Sequence, residues 1–187
     1  MKIAVIDFVS KLSNDVFETL KRINVEFDVF DCDVNIDELR NYNGIIFTGS
    51  HDHVYEKGSR SIDIKVFDLN IPIFGVCYGH QLIHHLLGGE VKKAKEDEIG
   101  TVLIHTEKSR LFKDLPETQN VYMYHSDEVS KLAHGFINLA YSEKCKYAAS
   151  ENKDKKIYTV QFHPEAKGND YGDEIYINFI DIVRKCI

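Results

Sequence analysis

Residues 71–81 of this chain read IPIFGVCYGHQ, and more of the fold follows from them than from any other segment. An apolar stretch leads into a turn whose apex is Cys77, with Gly75 before it and Gly79 after it. Glycine on both sides leaves room for a sharp passage from a strand into a helix, the geometry of a nucleophile elbow. Backbone N–H groups at the helix start would favour a thiolate. An isolated cysteine is usually a small buried apolar residue, so it is the two glycines that favour chemistry here.

A histidine near the end of the chain could serve such a nucleophile as its base. Residues 158–165 read YTVQFHPE, a β-branched and aromatic strand that delivers His163 at its end. Glu165 lies two positions further on, and its carboxylate could accept a hydrogen bond from the second ring nitrogen and so fix the tautomer. A histidine at a strand end is usually an ordinary surface or core residue. The pattern therefore indicates a catalytic triad only in combination with the elbow at Cys77.

The first half of the chain alternates apolar runs with helical patterns, which predicts parallel strands covered on both faces by helices. The predicted strands are Ile3–Ile6, Val25–Phe30, Gly44–Phe47 and Ile71–Val76, and the predicted helices are Val16–Ile23, Ile62–Leu69 and one from Tyr78 onward. The second half changes to short strand candidates joined by polar turns: Thr101–His105, Asn120–Tyr124, Ile137–Ser142, Tyr147–Ser150 and Ile157–Phe162. We therefore expect an α/β fold with a mostly parallel central sheet and added antiparallel strands, closed by a helix from about Glu174 to Arg184. Residues 1–187 contain no repeat or linker, which favours a single domain.

Composition restricts the possible functions. The chain has 187 residues and a formal net charge of −7, which argues against a nucleic-acid or anionic-membrane surface, since both need a basic face. Its four cysteines show no paired CxxC spacing, and no hydrophobic leader or membrane-length apolar run is present. We expect a protein of the reducing cytoplasm.

The two motifs together resemble those of the class I, triad-type glutamine amidotransferases. The resemblance covers nearly the whole chain, because the leading strand, the elbow, Gly88-Gly89 and the terminal His-Pro-Glu occur in the family's order and at similar spacing. It implies a flavodoxin-like fold and hydrolysis of glutamine to glutamate and ammonia through a thioester. By matching position, Cys77 is the nucleophile, His163 the base and acid, and Glu165 the residue that orients the imidazole.

The resemblance also implies the groups that surround the triad. Backbone N–H groups of Gly49 and Tyr78 would form the oxyanion hole, whose loss typically costs about 3 kcal/mol of barrier per donor. Where the family has Gly-Gly-Pro, residues 49–51 read Gly-Ser-His, and we expect the added Cβ of Ser50 to restrict the backbone angles of this loop. Substrate contacts would come from Gln81, His125 and Ser126. No metal is implied.

Within the family, the chain is most similar to the stand-alone glutaminase subunit of archaeal-type GMP synthases. Residues 124–129, YHSDEV, fit that group at Asp127 and Val129, and the segment 170–179 resembles its tail. The resemblance implies that the partner is a separate ATP pyrophosphatase subunit, which would bind ATP, Mg²⁺ and XMP. This chain itself would need no cofactor, and 187 residues are too few to hold both activities.

Alternative functions remain open at this point. An amidotransferase-like regulatory or binding protein with weak catalysis is suggested by Ser50 and Tyr124, and Tyr124-His125-Ser126 also resembles glutaminases of anthranilate-type synthases. A third alternative is another cysteine hydrolase on the same scaffold, of the intracellular peptidase or glyoxalase type. In that group a histidine directly follows the cysteine, whereas here Tyr78 follows Cys77, which argues against it.

Zinc binding is a further alternative, since His80 and His84 are four apart on one helix near Cys77. The neighbouring carboxylates lack a ligand pattern such as His-Glu-x-x-His, which favours a packing or partner-facing pair. The charged run at residues 92–98 is most simply a solvated strand and turn.

Overall fold

The computed structural model describes all 187 residues, and its nine strands form one continuous mixed sheet. The strands are β1 (Lys2–Asp7), β2 (Glu26–Asp31), β3 (Gly44–Phe47), β4 (Ile73–Val76), β5 (Glu90–Thr106), β6 (Thr118–Lys131), β7 (Ile137–Tyr141), β8 (Ala149–Asn152) and β9 (Ile157–Val160). The helices are α1 (Ser13–Arg22), α2 (Tyr78–Leu86) and α3 (Gly172–Arg184), with 3₁₀ helices at Ile36–Asn41 and Ile64–Asp68. The strand order across the sheet is β2-β1-β3-β4-β9-β8-β7-β5-β6.

Five strands, from β2 through β1, β3 and β4 to β9, pair in parallel. Apolar side chains of this part are buried on both faces, as a parallel sheet requires. In β1, Ile3 and Val5 pack in the core under α1 and α3, whereas Ala4 and Ile6 pack in the core under α2. The predicted fold class is confirmed: a parallel sheet core has helices on both faces and carries added antiparallel strands.

Antiparallel pairing takes over beyond β9, through β8, β7, β5 and β6. The hairpin of β5 and β6 is much longer than the predicted strands Thr101–His105 and Asn120–Tyr124. Backbone pairing between the two strands extends through polar and charged residues whose sequence shows no strand periodicity. The run at residues 92–98, predicted as a solvated strand and turn, belongs to β5. Its register shifts between Lys93 and Glu98, and Glu98 points inward with 4% of its surface exposed. That prediction was wrong at Glu98.

The helix predicted over residues 62–69 is shorter in the structure than predicted. Only Ile64–Asp68 is helical, as a 3₁₀ segment in which the Asp63 side chain accepts a hydrogen bond from Lys65 N at 2.9 Å. No helix in the chain combines the length and the apolar character that crossing a membrane requires.

His80 and His84 are both completely buried on α2. His80 Nδ1 lies 2.7 Å from Thr159 Oγ1, and His84 Nε2 lies 2.8 Å from Ser150 Oγ. Ala133 N donates to His84 Nδ1, so the Nε2 atom of His84 carries its single proton. The pair therefore joins α2 to β8 and β9 through the core, which supports packing and contradicts a partner-facing position.

Acid should destabilise the fold through this pair. Burial lowers the pKa of His84 to about 3 and also lowers that of His80. Because the unfolded histidine has the higher pKa, near 6.5, the stability is fully present above pH 6.5 and is lost as pH falls towards 3. Urea unfolding at pH 7.0 and at pH 5.5 measures the effect. Between these two pH values, the free energy of unfolding should fall by about 1 kcal/mol more in the wild type than in His84→Gln. That variant is already less stable than the wild type at pH 7.0. Equal losses in the two proteins would show that His84 is not held neutral.

Candidate active site

The elbow lies where β4 passes into α2. Cys77 has φ of +52° and ψ of −103°, and its N–H donates to Val160 O at 2.8 Å. Positive φ is uncommon outside glycine, and such strain collects at functional sites. The neighbouring glycines permit the turn: a Cβ on Gly75 would lie 2.5 Å from Ile83 Cδ1, and one on Gly79 would lie 2.7 Å from Phe47 O.

His163 follows β9 and lies beside Cys77. The backbone N–H of His163 donates to Tyr122 O at 2.9 Å, and the ring atom Nδ1 lies 2.7 Å from Glu165 Oε1. Burial by itself lowers the pKa of His163, but the charge and hydrogen bond of Cys77, together with Glu165, outweigh burial and raise that pKa well above its ordinary value. The structure thus brings together the three residues predicted as a triad, in a buried environment where charged hydrogen bonds are strong.

Two residues that sequence analysis missed support this arrangement. Asn169 Nδ2 donates to His163 O at 2.8 Å and to Ala166 O at 2.6 Å, which holds the turn after the histidine. Tyr176, on α3, donates its hydroxyl to Glu165 Oε2 at 3.1 Å and is completely buried. Asn169 lies just before the segment that resembles the family's tail and Tyr176 lies within it, but each reaches the triad only through the packing of α3 and its preceding turn, so sequence analysis assigned a role to neither.

Tyr176→Phe should lower the turnover number for glutamine about tenfold, with little change in KM, because Glu165 loses a donor worth about 1.5 kcal/mol or more to a charged acceptor. Tyr158→Phe is the matched control, since Tyr158 is also buried and packs on Phe179 of the same helix. Steady-state kinetics of the two variants would separate the effects. Equal turnover in both would show that the hydroxyl of Tyr176 does not support Glu165.

The loop after β3 carries the predicted oxyanion hole. Neither Gly49 N nor Tyr78 N makes a hydrogen bond to another backbone group, whereas the next amide along, Gly79 N, donates to Thr48 O at 3.2 Å. A Cβ on Gly49 would lie 3.1 Å from His163 Cε1, so the glycine lets the loop approach the imidazole. The two free N–H groups therefore remain candidates for stabilising an oxyanion.

The expected restriction at Ser50 is not found. Its backbone does not occupy the left-handed region, so a Cβ costs no conformational strain at this position. The Ser50 hydroxyl instead accepts a hydrogen bond from Asp52 N at 3.2 Å. Serine is therefore compatible with the loop that the family forms with glycine.

A cavity of about 200 Å³ opens onto Cys77, and all three predicted substrate-binding residues line it. They are Gln81, His125 and Ser126. Three aspartates share the lining, at positions 52, 97 and 127. Asp127 is bound from the loop side by His53, whose Nδ1 lies 2.5 Å from Oδ2, and by the Tyr55 hydroxyl at 2.9 Å from Oδ1. Both partners were missed by sequence analysis, since loop and strand are 72 or more residues apart.

Gln81 is largely occupied by protein groups. Its Nε2 donates to Asp127 O at 3.0 Å and to Gln161 Oε1 at 3.1 Å. Only its Oε1 is left to meet a substrate, so a contact between Gln81 and glutamine stays a prediction. A second cavity of similar size reaches Cys77 from the side of Leu12, Tyr122 and His163.

One cluster of side chains has the donor types of a metal site. Glu98, His125 and Cys145 are all buried, with donor atoms within 4.8 Å of one another. Glu98 Oε2 and His125 Nε2 contact each other directly at 3.1 Å, and burial strongly raises the pKa of the Cys145 thiol. The cluster is thus a carboxylate–imidazole contact beside a neutral thiol, which does not fit a metal that requires a thiolate.

The sequence model of the family Glutamine amidotransferase class-I matches residues 4–183. The chain therefore belongs to the class I glutamine amidotransferases, as its two motifs predicted. Among named relatives it is 42% identical, over 98% of its length, to the glutamine-hydrolysing GMP synthase of Macrococcus caseolyticus and 40% identical to that of Staphylococcus carnosus. The chain spans only 36% of the length of each of these two relatives.

Solved structures agree with this membership. A Thermoplasma acidophilum protein described as one subunit of a GMP synthase superimposes with a TM-score of 0.88 and 28% identity, over 100% of this chain and 95% of that one. A glutamine amidotransferase of Thermotoga maritima, at 20% identity, superimposes with a TM-score of 0.72 over 99% of this chain and 83% of that one. The second likeness supports the fold alone.

Proposed function

We propose that this chain, as a single domain, is a glutaminase that hydrolyses glutamine to glutamate and ammonia and passes the ammonia to a separate synthetase. The observation that carries the proposal is the arrangement at the elbow. Cys77 lies against His163, whose Nδ1 is 2.7 Å from Glu165 Oε1, and a cavity of amino-acid size opens onto the sulfur. Membership of the class I family supports the same reaction.

The proposed reaction uses only side chains and backbone groups of this chain. His163 takes the proton of Cys77, and the sulfur attacks the side-chain amide carbon of glutamine to form a tetrahedral oxyanion. Gly49 N–H and Tyr78 N–H would stabilise that oxyanion. His163 then gives its proton to the leaving nitrogen, which departs as ammonia and leaves a thioester on Cys77.

Water completes the cycle. His163 removes a proton from the water molecule that attacks the thioester, and glutamate leaves as the Cys77 sulfur recovers its proton from the imidazolium. Glu165 stabilises the imidazolium in both halves of the reaction and holds its tautomer.

The proposed partner is an ATP pyrophosphatase subunit that converts XMP to GMP and binds ATP and Mg²⁺. Support comes from the relatives, which are glutamine-hydrolysing GMP synthases, and from the structural neighbour, which is described as one subunit of a GMP synthase. The alternative of a regulatory protein with weak catalysis rested partly on Ser50, whose backbone is unstrained.

Glutamate release should rise about tenfold or more when the synthetase of the same organism is added with XMP, ATP and Mg²⁺. Coupling between two sites typically amounts to about 1–3 kcal/mol, which is a factor of about 5 to 150. The mixture should form GMP from glutamine. The matched control is the isolated synthetase with ammonium chloride, which should also form GMP. If ammonium chloride supports GMP formation and glutamine does not, the assignment to GMP synthesis is wrong.

A further inference from the structure

Glu98 is a buried carboxylate that the proposed reaction does not use. It lies on β5 directly after the register shift, between Asp97 and Ile99, which line the cavity at Cys77. Its Oε1 accepts a hydrogen bond from Ser142 Oγ at 2.8 Å, and its Oε2 lies 3.1 Å from His125 Nε2. A charged side chain is rarely buried without such partners.

Both ring nitrogens of His125 face hydrogen-bond acceptors. His125 Nδ1 lies 2.9 Å from Asp127 O, and a carbonyl oxygen can only accept, so Nδ1 carries a proton. Nε2 faces the Glu98 carboxylate at 3.1 Å, and an ionised carboxylate can only accept. Protons on both ring nitrogens would satisfy the two contacts.

The alternative placement of that proton on Glu98 is disfavoured. Burial by itself raises the pKa of Glu98, but hydrogen bonds from His125 and Ser142 outweigh it and hold that pKa below its usual value. Ser142 Oγ accepts from Cys145 N at 2.9 Å, which directs its own proton to Glu98 Oε1. Glu98 thus accepts at both oxygens.

His125 shares the wall of the cavity with three aspartates. His125 and Ser126 line the cavity, as do Asp52, Asp97 and Asp127. Asp52 pairs with Arg60 at 3.0 Å and Asp127 is bound by His53, which leaves Asp97 as the carboxylate without an ion pair. An α-amino acid bears the complementary pair of charges, a carboxylate and an ammonium. A low-dielectric wall strengthens such attractions relative to water.

We propose that Glu98 is a specificity-determining positioning residue: it holds the second proton on His125, so that the cavity selects amides that bear a free α-carboxylate. The proposal rests on the proposed function, since it concerns how the same cavity discriminates among amide substrates. Glu98 acts through His125 and touches neither the substrate nor the reacting atoms.

The test compares glutamine with glutaminamide, which keeps the side-chain amide and the α-ammonium group but has a neutral amide in place of the α-carboxylate. Glu98→Gln should raise the KM for glutamine about tenfold with turnover nearly unchanged. Its kcat/KM for glutaminamide should stay near the wild-type value, so that the preference for glutamine falls about tenfold. Glu96→Gln is the matched control, because Glu96 is an exposed neighbour that pairs with Lys144. An equal loss on both substrates, or an unchanged preference, would overturn the proposal.

A second measurement does not depend on turnover or on a stable variant. In the wild-type protein labelled with ¹⁵N-histidine, His125 should show both ring nitrogens protonated at neutral pH, and His84 should serve as the neutral internal reference. A neutral His125 would overturn the proposal even if Glu98→Gln failed to fold. If the wild type does not hydrolyse glutamine, the proposed function fails, and the charge of His125 still decides the role of Glu98.

Discussion

Cys77→Ala should abolish glutamate release, with a loss of about 10⁴-fold or more, while the fold stays intact. Apart from its hydrogen bond with His163, the sulfur makes only long polar contacts, 3.7 Å to Tyr124 O and 3.7 Å from Gln161 Nε2, so its removal disturbs little packing. His163→Ala should cause nearly the same loss, because the thiol then has no base. Glutamate release with the partner present is the measurement, and circular dichroism checks the fold.

Cys186→Ala is the matched control, since Cys186 is an exposed free thiol remote from the elbow and should leave activity unchanged. Glu165→Gln should be milder than either triad substitution, because the amide keeps a hydrogen-bonding position and loses mainly the charge that stabilises the imidazolium. Undiminished turnover in Cys77→Ala would remove the basis for the triad.

Gly79→Ala should produce the second largest effect, a loss of about 3 kcal/mol or more in the free energy of unfolding together with most of the activity. The added methyl group would lie 2.7 Å from both Phe47 Cβ and Phe47 O, which are part of β3 and cannot move independently of the sheet. Relief would require α2 to shift, and Cys77 and Tyr78 N–H would shift with it. Urea unfolding and glutaminase assays measure the two losses.

His85→Ala is the control for that substitution, since it introduces the same residue on an exposed face of the same helix. We expect its stability to change by less than about 0.5 kcal/mol. Wild-type stability in Gly79→Ala would mean that the elbow does not need the close approach of α2 to β3.

Sequence alone predicted the elbow and the parallel half of the sheet, because each depends on neighbours along the chain, and the resemblance to the family implied the triad members. Glycines two residues before and after Cys77 indicate the turn, and the strand 158–162 carries His163 at its end. Apolar runs such as Ile3–Ile6 indicate strands buried on both faces. The resemblance to class I amidotransferases, which the family comparison confirmed, followed from the same two motifs.

The length of β5 and β6 could not be predicted in the same way. Polar residues such as Lys92 and Lys93 pair with Glu128 and Asp127 across the hairpin, and this pairing depends on a partner strand rather than on local periodicity. The backbone of Ser50 is a second example. Comparison with the family's glycine predicts that the Cβ restricts this loop, but φ depends on the three-dimensional course of the loop and is not positive at Ser50.

Only the tertiary structure determined which groups surround the triad and the cavity. Tyr176 reaches Glu165 because α3 packs across the face of β4 and β9. Glu98 reaches His125, which is 27 residues away in the sequence, because the register shift in β5 turns the Glu98 side chain inward. Local sequence determines turns and strands through backbone preferences and hydrophobic periodicity. The protonation and orientation of buried polar side chains depend instead on which oxygen or nitrogen lies within about 3 Å, and folding alone brings those atoms together.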